Sequence, residues 1–304
     1  MLWYSQAGTP KVKVIERYGE NTLTLDFEQI LPNNHTKKLQ PMVIPISIGL
    51  LDENGIDLIE TKVFELKKPR DTLTFKGIEK KPTVSLLRKF SAPVTIEREI
   101  TDQDRLTLLT KDSDAYNRWD ASQQLMLASF EKIAFQKQEP NDELIDAFCQ
   151  IMQDQKLMPA FRAQLLSQPS ISEIIAHFFE NNLPIDPEMI YTAKKIFSQK
   201  LAEHSNQFLE QLFHSLTQNV KYEPSADQAG ERSLKNILLG LLTRVDNGES
   251  AGKQFSGADN MTDEVAALSV LIQNDLVSTE IDSFYERWAC LLYTSDAADD
   301  CEGV

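Results

Sequence analysis

Over the first third of the chain, apolar residues alternate with polar ones. Lys11-Val12-Lys13-Val14-Ile15-Glu16 and Thr22-Leu23-Thr24-Leu25-Asp26-Phe27 both repeat with period two, and the second puts Leu23, Leu25 and Phe27 on one face. This period buries one face of a strand and wets the other. Val43 to Leu50 is a more continuous apolar run, in which Pro45 predicts an edge or a bulge because it has no N–H for a ladder. Asp52-Glu53-Asn54-Gly55 supplies a turn, since Asn-Gly tolerates positive φ. Lys62–Leu66, Asp71–Phe75, Thr83–Leu87 and Val94–Glu97 bring the count to about seven short strands. That number at that spacing predicts an immunoglobulin-like β-sandwich over 11–99, without the Cys-Trp-Cys core of antibody domains.

The period changes after Glu99. Ala115, Trp119, Ser122, Met126 and Phe130 are spaced to share a helical face. Leu144, Phe148 and Ile151 mark another helix behind Asn141-Asp142, and Pro159–Gln168 and Ser172–Phe179 read as shorter ones. Asp186-Pro187-Glu188 is a start signal: Asp can cap, Pro fits the first turn, and Glu suits the positive dipole end. That helix is expected to reach about Leu216. Glu231–Val245 follows, stopped at Asp246-Asn247-Gly248, and a last helix starts at Thr262-Asp263-Glu264. Short helices in series over 100–289 predict a solenoid-like α-helical domain, although no fixed-period repeat is visible.

The chain has 304 residues and a net charge of -15, a sign that argues against nucleic-acid binding and against adhesion to anionic membranes. No segment is apolar enough to span a bilayer, and Met1–Gln6 lacks the features of a secretory signal. The three cysteines, Cys149, Cys290 and Cys301, form no disulfide framework, so a reducing, cytoplasmic setting is expected.

The sequence offers no catalytic, cofactor-binding or metal residue. A zinc peptidase helix needs two His at i and i+4 beside a Glu, and His35, His177, His204 and His214 provide no such pair. His204 and His214 lie almost three turns apart on one expected helix. His177, beside Phe178-Phe179, reads as half-buried packing, and His35 sits in a surface-loop composition. Asp112, Asp114 and Asp120 lack the glycine and terminal Glu of a calcium loop and read as caps and first-turn charges of a helix. Cys149 reads as a packed thiol. Phosphate-binding loops, dinucleotide fingerprints and nucleophile elbows are missing from the sequence.

Two strings resemble a known family. Leu2-Trp3-Tyr4-Ser5-Gln6-Ala7-Gly8-Thr9-Pro10 is similar to the junction between catalytic domain and β-sandwich in bacterial zinc aminopeptidases of peptidase family M1, the aminopeptidase N group. Lys253–Leu268, containing Gly257-Ala258-Asp259-Asn260-Met261-Thr262, is similar to a loop-plus-helix segment of that family's C-terminal helical domain. Phe90-Ser91-Ala92-Pro93-Val94 and Arg118-Trp119-Asp120-Ala121 support the match, which runs in order from Leu2 to about Ala289.

The resemblance implies a C-terminal fragment of a four-domain zinc metalloaminopeptidase, in which residues 1–10 are a junction and the zinc helix and amine-binding motif precede Leu2. Zinc and peptide substrates then belong to the full-length parent. The fragment's partners are the missing catalytic domain and the remaining C-terminal helices, its role is scaffold and access control, and it is expected to be inactive alone. The Asn260–Asp263 loop could approach the substrate cavity, but Thr262 capping a helix accounts for it without that. Residues 290–304 break the amphipathic pattern without a cap and resemble a translated sequencing adaptor, so they are expected to be non-native. Removing them takes away Asp296, Asp299, Asp300 and Glu302 and no basic residue, so the acidity survives. The alternative is a free-standing interaction module built of a sandwich and helical repeats.

Overall fold

The computed structural model describes residues 2–6, 8–31, 39–216, 222–277 and 279–288. His35 and the whole 290–304 tail lie outside them. The chain divides into two compact units: Met1–Ser129 with Gln168–Asn181, and Phe130–Ser167 with Asn182–Val304.

The first unit opens with a short helix α1 (Leu2–Ser5) and seven strands: β1 (Lys11–Gly19), β2 (Thr22–Ile30), β3 (Ile44–Leu51), β4 (Lys62–Leu66), β5 (Arg70–Lys76), β6 (Thr83–Leu86) and β7 (Thr95–Arg98). They form a four-stranded sheet, β5-β2-β1-β7, and a three-stranded sheet, β4-β3-β6. The expected immunoglobulin-like sandwich is therefore present. Val12, Val14, Leu23, Leu25 and Phe27 from one sheet face Ile44, Ile46, Ile48 and Leu50 from the other, all buried. The period-two pattern of β2 is obeyed throughout, because a shift by one residue would expose the whole apolar set. Pro45 lies on β3, the middle strand of its sheet, yet β6 pairs only with Ile48–Leu51, so at Pro45 the strand has β4 alone beside it. The 52–55 turn forms as expected. Gly55 adopts φ +81°, and Asp52 Oδ1 accepts from the N–H groups of Asn54 and Ile56, both at 2.8 Å.

One polar residue sits inside this core. Gln29 is 8% exposed; its Nε2 donates to the carbonyls of Met42 (2.8 Å), Leu66 (3.2 Å) and Lys68 (3.1 Å), while its Oε1 accepts from Met42 N (2.9 Å). A buried amide is tolerated when its donors and acceptor are satisfied, and here it ties β2 to the opposite sheet. At the chain entry, the Trp3 indole donates to Val43 O at 3.1 Å, and Gln6 and Gln40 exchange hydrogen bonds at 2.9 and 2.6 Å.

The same unit contains α2 (Asp102–Lys111), α6 (Ile171–Glu180) and α3 (Ala115–Glu131) as far as Ser129. The sequence reading places no helix at α2, although Thr101 caps it by accepting from Asp104 N at 3.0 Å. Its buried residues, Leu106, Leu108 and Leu109, are too closely spaced to read as a helical stripe. On α3, Ser122, Met126 and Phe130 are buried as expected, whereas Ala115 is exposed on the first turn. Helix α6 starts one residue earlier than the expected Ser172, behind its cap Ser170, which forms a reciprocal capping box with Glu173.

The second unit holds a π-helical turn (Lys132–Gln136), α4 (Asp142–Gln153), α5 (Pro159–Leu166), α7 (Pro187–Ser215), α8 (Ala226–Leu242), α9 (Glu249–Gly257) and α10 (Met261–Gln273); residues 280–288 are also helical. Asn141 caps α4, and Asp186 caps α7 by accepting from Glu188 N at 2.9 Å. Helix α8 begins five residues before the expected Glu231 and is capped by Ser225. The sequence reading also misses α9, whose Gly252, Ser250 and Ser256 have low helix propensity. In the core, Phe130 and Phe148 set their ring edges against Phe197 at centroid distances of 5.5 and 6.0 Å.

Candidate functional site

The turn after β6 carries an unusual backbone. Leu87, Lys89 and Phe90 all have positive φ (56°, 57° and 50°) and none is glycine. Each such residue costs of order 1 kcal/mol or more and persists only where its surroundings fix it. Arg88 supplies that fixation. Its side chain is 4% exposed and reaches back into the unit. Nε donates to Ser85 Oγ (3.0 Å), Nη1 to Thr61 Oγ1 (3.1 Å), and Nη2 to Asp57 Oδ1 (2.5 Å) and Asp112 Oδ1 (3.0 Å). Gly49 makes room for it: a Cβ there would lie 2.0 Å from Arg88 Cζ. Lys89 N donates to Asp114 Oδ2 at 2.8 Å, which holds the far end of the turn.

The two carboxylates on this guanidinium differ in electrostatics. Burial pushes Asp112 above its ordinary pKa despite hydrogen bonds from Ser85 and Asp114 and the Arg88 charge. Burial also opposes ionisation of Asp57, but hydrogen bonds from Arg88 and Ser113 outweigh it and the carboxyl is lowered.

The fixed turn forms one wall of a cleft of about 370 Å³ within the first unit. Leu87, Phe90, Val94 and Ile96 line it from the sandwich, Arg105 and Leu108 from α2, and Tyr116, Trp119, Asp120 and Gln124 from α3. The Tyr116 ring lies 5.1 Å from Phe90 and 5.9 Å from Trp119, centroid to centroid. Phe90 remains 53% exposed. The Asp120 carboxyl is pushed up by burial; the through-space charges of Arg98 and Arg105 and a hydrogen bond with Gln124 oppose this only partly. Neither arginine forms an ion pair with it: Arg98 is held by Glu16 (3.0 Å), and Arg105 by Asp102 (3.3 Å) and Ile100 O (3.2 Å). The Tyr116 phenol is raised to about 12 by burial, then by Asp120 and Asp114, and stays neutral at physiological pH.

The residues singled out in the sequence are thus distributed unevenly. Asp114 caps α3, accepting from Asn117 N at 3.0 Å, as expected. Asp112 does not start that helix; it ends α2 and pairs with Arg88. Asp120 lies beyond the first turn and faces the cleft. His177 is half-buried on α6. His204 contacts Asp146 at 2.6 Å and His214 lies 3.7 Å from Glu210, each on its own part of α7. Cys149 is buried, with its thiol pushed up to about 11 by burial and by Asp146. Arg88, Gly49 and Gln29 escaped the sequence reading, because nothing in a lone Arg, Gly or Gln announces a long-range partner.

A second charged cluster occupies the second unit. The cap of α10 is Asn260, which accepts from Asp263 N at 3.0 Å, and not Thr262, which is exposed on the first turn. The helix starts earlier than read because Asn, like Thr, can cap, and here Asn260 is the residue in extended backbone. Asp263 and Glu264 are 5% and 1% exposed. Asp263 accepts from Lys235 Nζ (2.5 Å), Asn236 (3.1 Å) and Asn260 (3.1 Å); Glu264 accepts from Arg287 (2.5 Å) and Trp288 (2.9 Å). Asn260 and Asp263 border a cleft of about 630 Å³, but its principal charges are already matched: Lys235 by Asp263, and Lys253 by Glu249 at 2.5 Å. Among the described residues, no three His, Cys, Asp or Glu side chains converge as metal ligands, and no helix is long and apolar enough to cross a membrane.

Residues 8–99 match a family described as "Domain of unknown function (DUF3458) Ig-like fold", and residues 102–291 match "Domain of unknown function (DUF3458_C) ARM repeats". Aminopeptidase N of Escherichia coli (strain K12) is 30% identical over 333 residues, covering 99% of this chain and 38% of that protein. Aminopeptidase N of Caulobacter vibrioides is 32% identical over 296 residues, covering 94% of this chain and 34% of that protein. A crystal structure of Legionella pneumophila aminopeptidase A in complex with aspartic acid matches with a TM-score of 0.80 and 26% identity, over 94% of this chain and 34% of that one. The chain spans little more than a third of the length of the curated relatives it matches. Its Ig-like sandwich, its ARM-type helices and these relatives together place the chain in the DUF3458 family, as a homologue of part of bacterial aminopeptidase N.

Proposed function

We propose that this chain is the non-catalytic C-terminal portion of a cytoplasmic M1 zinc aminopeptidase, acting as scaffold and access cover for a catalytic domain that precedes it. The observation that carries this reading is the alignment itself: relatives named aminopeptidase N match almost the whole chain with about a third of their own length. In such an enzyme zinc polarises the scissile carbonyl and activates water. In this reading the zinc ligands belong to the preceding catalytic domain, and no step through the metal is assigned to this chain. Its residues contribute rigidity instead: the Gln29 bridge, the Arg88 network and the Asp263–Lys235 pair hold two platforms in shape.

The exposed apolar side chains of the last helices support a continuing solenoid. Met261, Val265 and Ile272 on α10, and Ile281 and Tyr285 on 280–288, are 39–63% exposed. These are the positions that further stacked helices would cover. The Asn260–Asp263 loop is then the part of the cover to test for contact with peptide substrates.

The experiment is to purify the chain, add zinc, and assay an alanine-anilide substrate. No turnover is expected; chelator-sensitive turnover would overturn the non-catalytic assignment. An upstream reading frame carrying His-Glu-x-x-His in the same gene is the accompanying expectation, and a stop codon with a ribosome-binding site just before Met1 would count for a free-standing module.

A further inference from the structure

Two short strings that carry the family resemblance, Phe90-Ser91-Ala92-Pro93-Val94 and Arg118-Trp119-Asp120-Ala121, are 28 positions apart in sequence, counted between Phe90 and Arg118. Phe90, Val94, Trp119, Asp120 and Ala121 nevertheless line one cleft, and neither the scaffold role nor the absent zinc chemistry accounts for what that cleft holds. Its volume, about 370 Å³, falls in the range of small-molecule sites. Its walls are mixed: Phe90, Tyr116 and Trp119 supply aromatic surface beside polar and charged side chains. Its lining charges are Asp120, Arg98 and Arg105: Asp120 has a hydrogen bond with Gln124 and no ion pair among the described residues, Arg98 pairs with Glu16 (3.0 Å), and Arg105 pairs with Asp102 (3.3 Å) and donates to Ile100 O (3.2 Å). The Phe90 wall is preformed, because the Arg88 network imposes its left-handed backbone.

We propose that this cleft binds a free α-amino acid with an aromatic or long aliphatic side chain. Asp120 receives the ammonium group, Arg105 receives the carboxylate, and the side chain lies against Phe90, Tyr116 and Trp119. A zwitterion gives Asp120 an ion pair and Arg105 a second carboxylate at once, and an aromatic wall next to a carboxylate favours an ammonium group further through the ring quadrupole. The arrangement discriminates against uncharged ligands because a missing ammonium leaves the partly desolvated Asp120 without an ion pair, and a missing carboxylate leaves Arg105 with Asp102 alone. The inference concerns binding to the chain as it stands and is independent of the aminopeptidase reading.

The test is isothermal titration of the 304-residue chain with four probes sharing one side chain: L-phenylalanine, L-phenylalaninamide, N-acetyl-L-phenylalanine and N-acetyl-L-phenylalaninamide. L-Phenylalanine is expected to bind tightest, with at least a tenfold loss on removing either charge and a larger loss on removing both. Asp120→Asn should weaken L-phenylalanine at least tenfold and leave N-acetyl-L-phenylalanine unchanged. Arg105→Gln should weaken L-phenylalanine and leave L-phenylalaninamide unchanged. Thermal unfolding of each variant, matching that of the parent chain, separates lost binding from lost folding. Equal affinity for all four probes would overturn the proposal and make the cleft a seat for a polypeptide side chain. Absence of saturable binding by L-phenylalanine, or binding indifferent to both variants, would also overturn it.

Discussion

Replacing Arg88 with Met keeps the volume of the stem but removes the one charge among the described residues that compensates Asp112, whose side chain is 0% exposed. Four donor contacts disappear together: to Ser85, Thr61, Asp57 and Asp112. Removing one partner of a buried ion pair typically costs about 3–5 kcal/mol. The Asp57 side chain is 33% exposed and can be rehydrated, so the Asp112 half dominates and about 3 kcal/mol is the expected loss. Because the chain has two units and need not unfold in one step, peptide-resolved hydrogen exchange is the suitable assay. At pH 7, amides of β3 and β6 should exchange roughly a hundredfold faster than in the parent chain. The deficit should also depend on pH. Asp112 titrates above its unfolded value in the parent chain, and higher still once Arg88 is gone, so the folded variant binds a proton more readily than the unfolded chain. Lowering the pH through that raised folded value, toward the ordinary carboxylate range, should therefore recover part of the lost protection. Adding Asp112→Asn to Arg88→Met should recover part of it at pH 7. Protection unchanged in Arg88→Met, or no recovery by either route, would refute the claim that this guanidinium holds the turn.

The remaining expectations are narrower. Gly49→Ala puts a methyl group into the Arg88 guanidinium, so it should lower the same protection, and should add much less when placed on Arg88→Met, a non-additivity that a double-mutant cycle by hydrogen exchange measures. Gln29→Ala strands Met42 N–H and the carbonyls of Met42, Leu66 and Lys68 and should cost about 2–4 kcal/mol, seen as faster exchange in β2 and around Met42. Asp186→Ala removes the cap of α7 and should cost about 1 kcal/mol, read as faster exchange in its first turn. In a Cys290→Ser, Cys301→Ser background, Cys149, with its thiol at about 11, should resist a thiol reagent at pH 8 until denaturant is added.

The strands β1 and β2 were legible because period-two alternation states directly which face is buried, and α7 because Asp186-Pro187-Glu188 states directly where a helix begins. Signals of this kind are local: the residues that carry them lie within one or two turns of what they specify. Helices α2 and α9 were missed where the local signal is weak, in a run of adjacent leucines and in a glycine- and serine-rich segment. Asn260 and Thr262 were both acceptable caps, and the backbone conformation chose between them. The family resemblance, too, was a sequence property, carried by strings at both ends of the chain. The cleft was not. Phe90-Ser91-Ala92-Pro93-Val94 and Arg118-Trp119-Asp120-Ala121 could each be read, but their shared wall exists only because α3 lies along the strained turn within one compact unit. The same holds for Arg88, whose burial depends on Gly49, Asp57 and Asp112 arriving from three other segments. Period and caps are short-range quantities and the sequence determines them; the matching of a buried charge is a long-range one, and tertiary structure alone decided which residues would meet it.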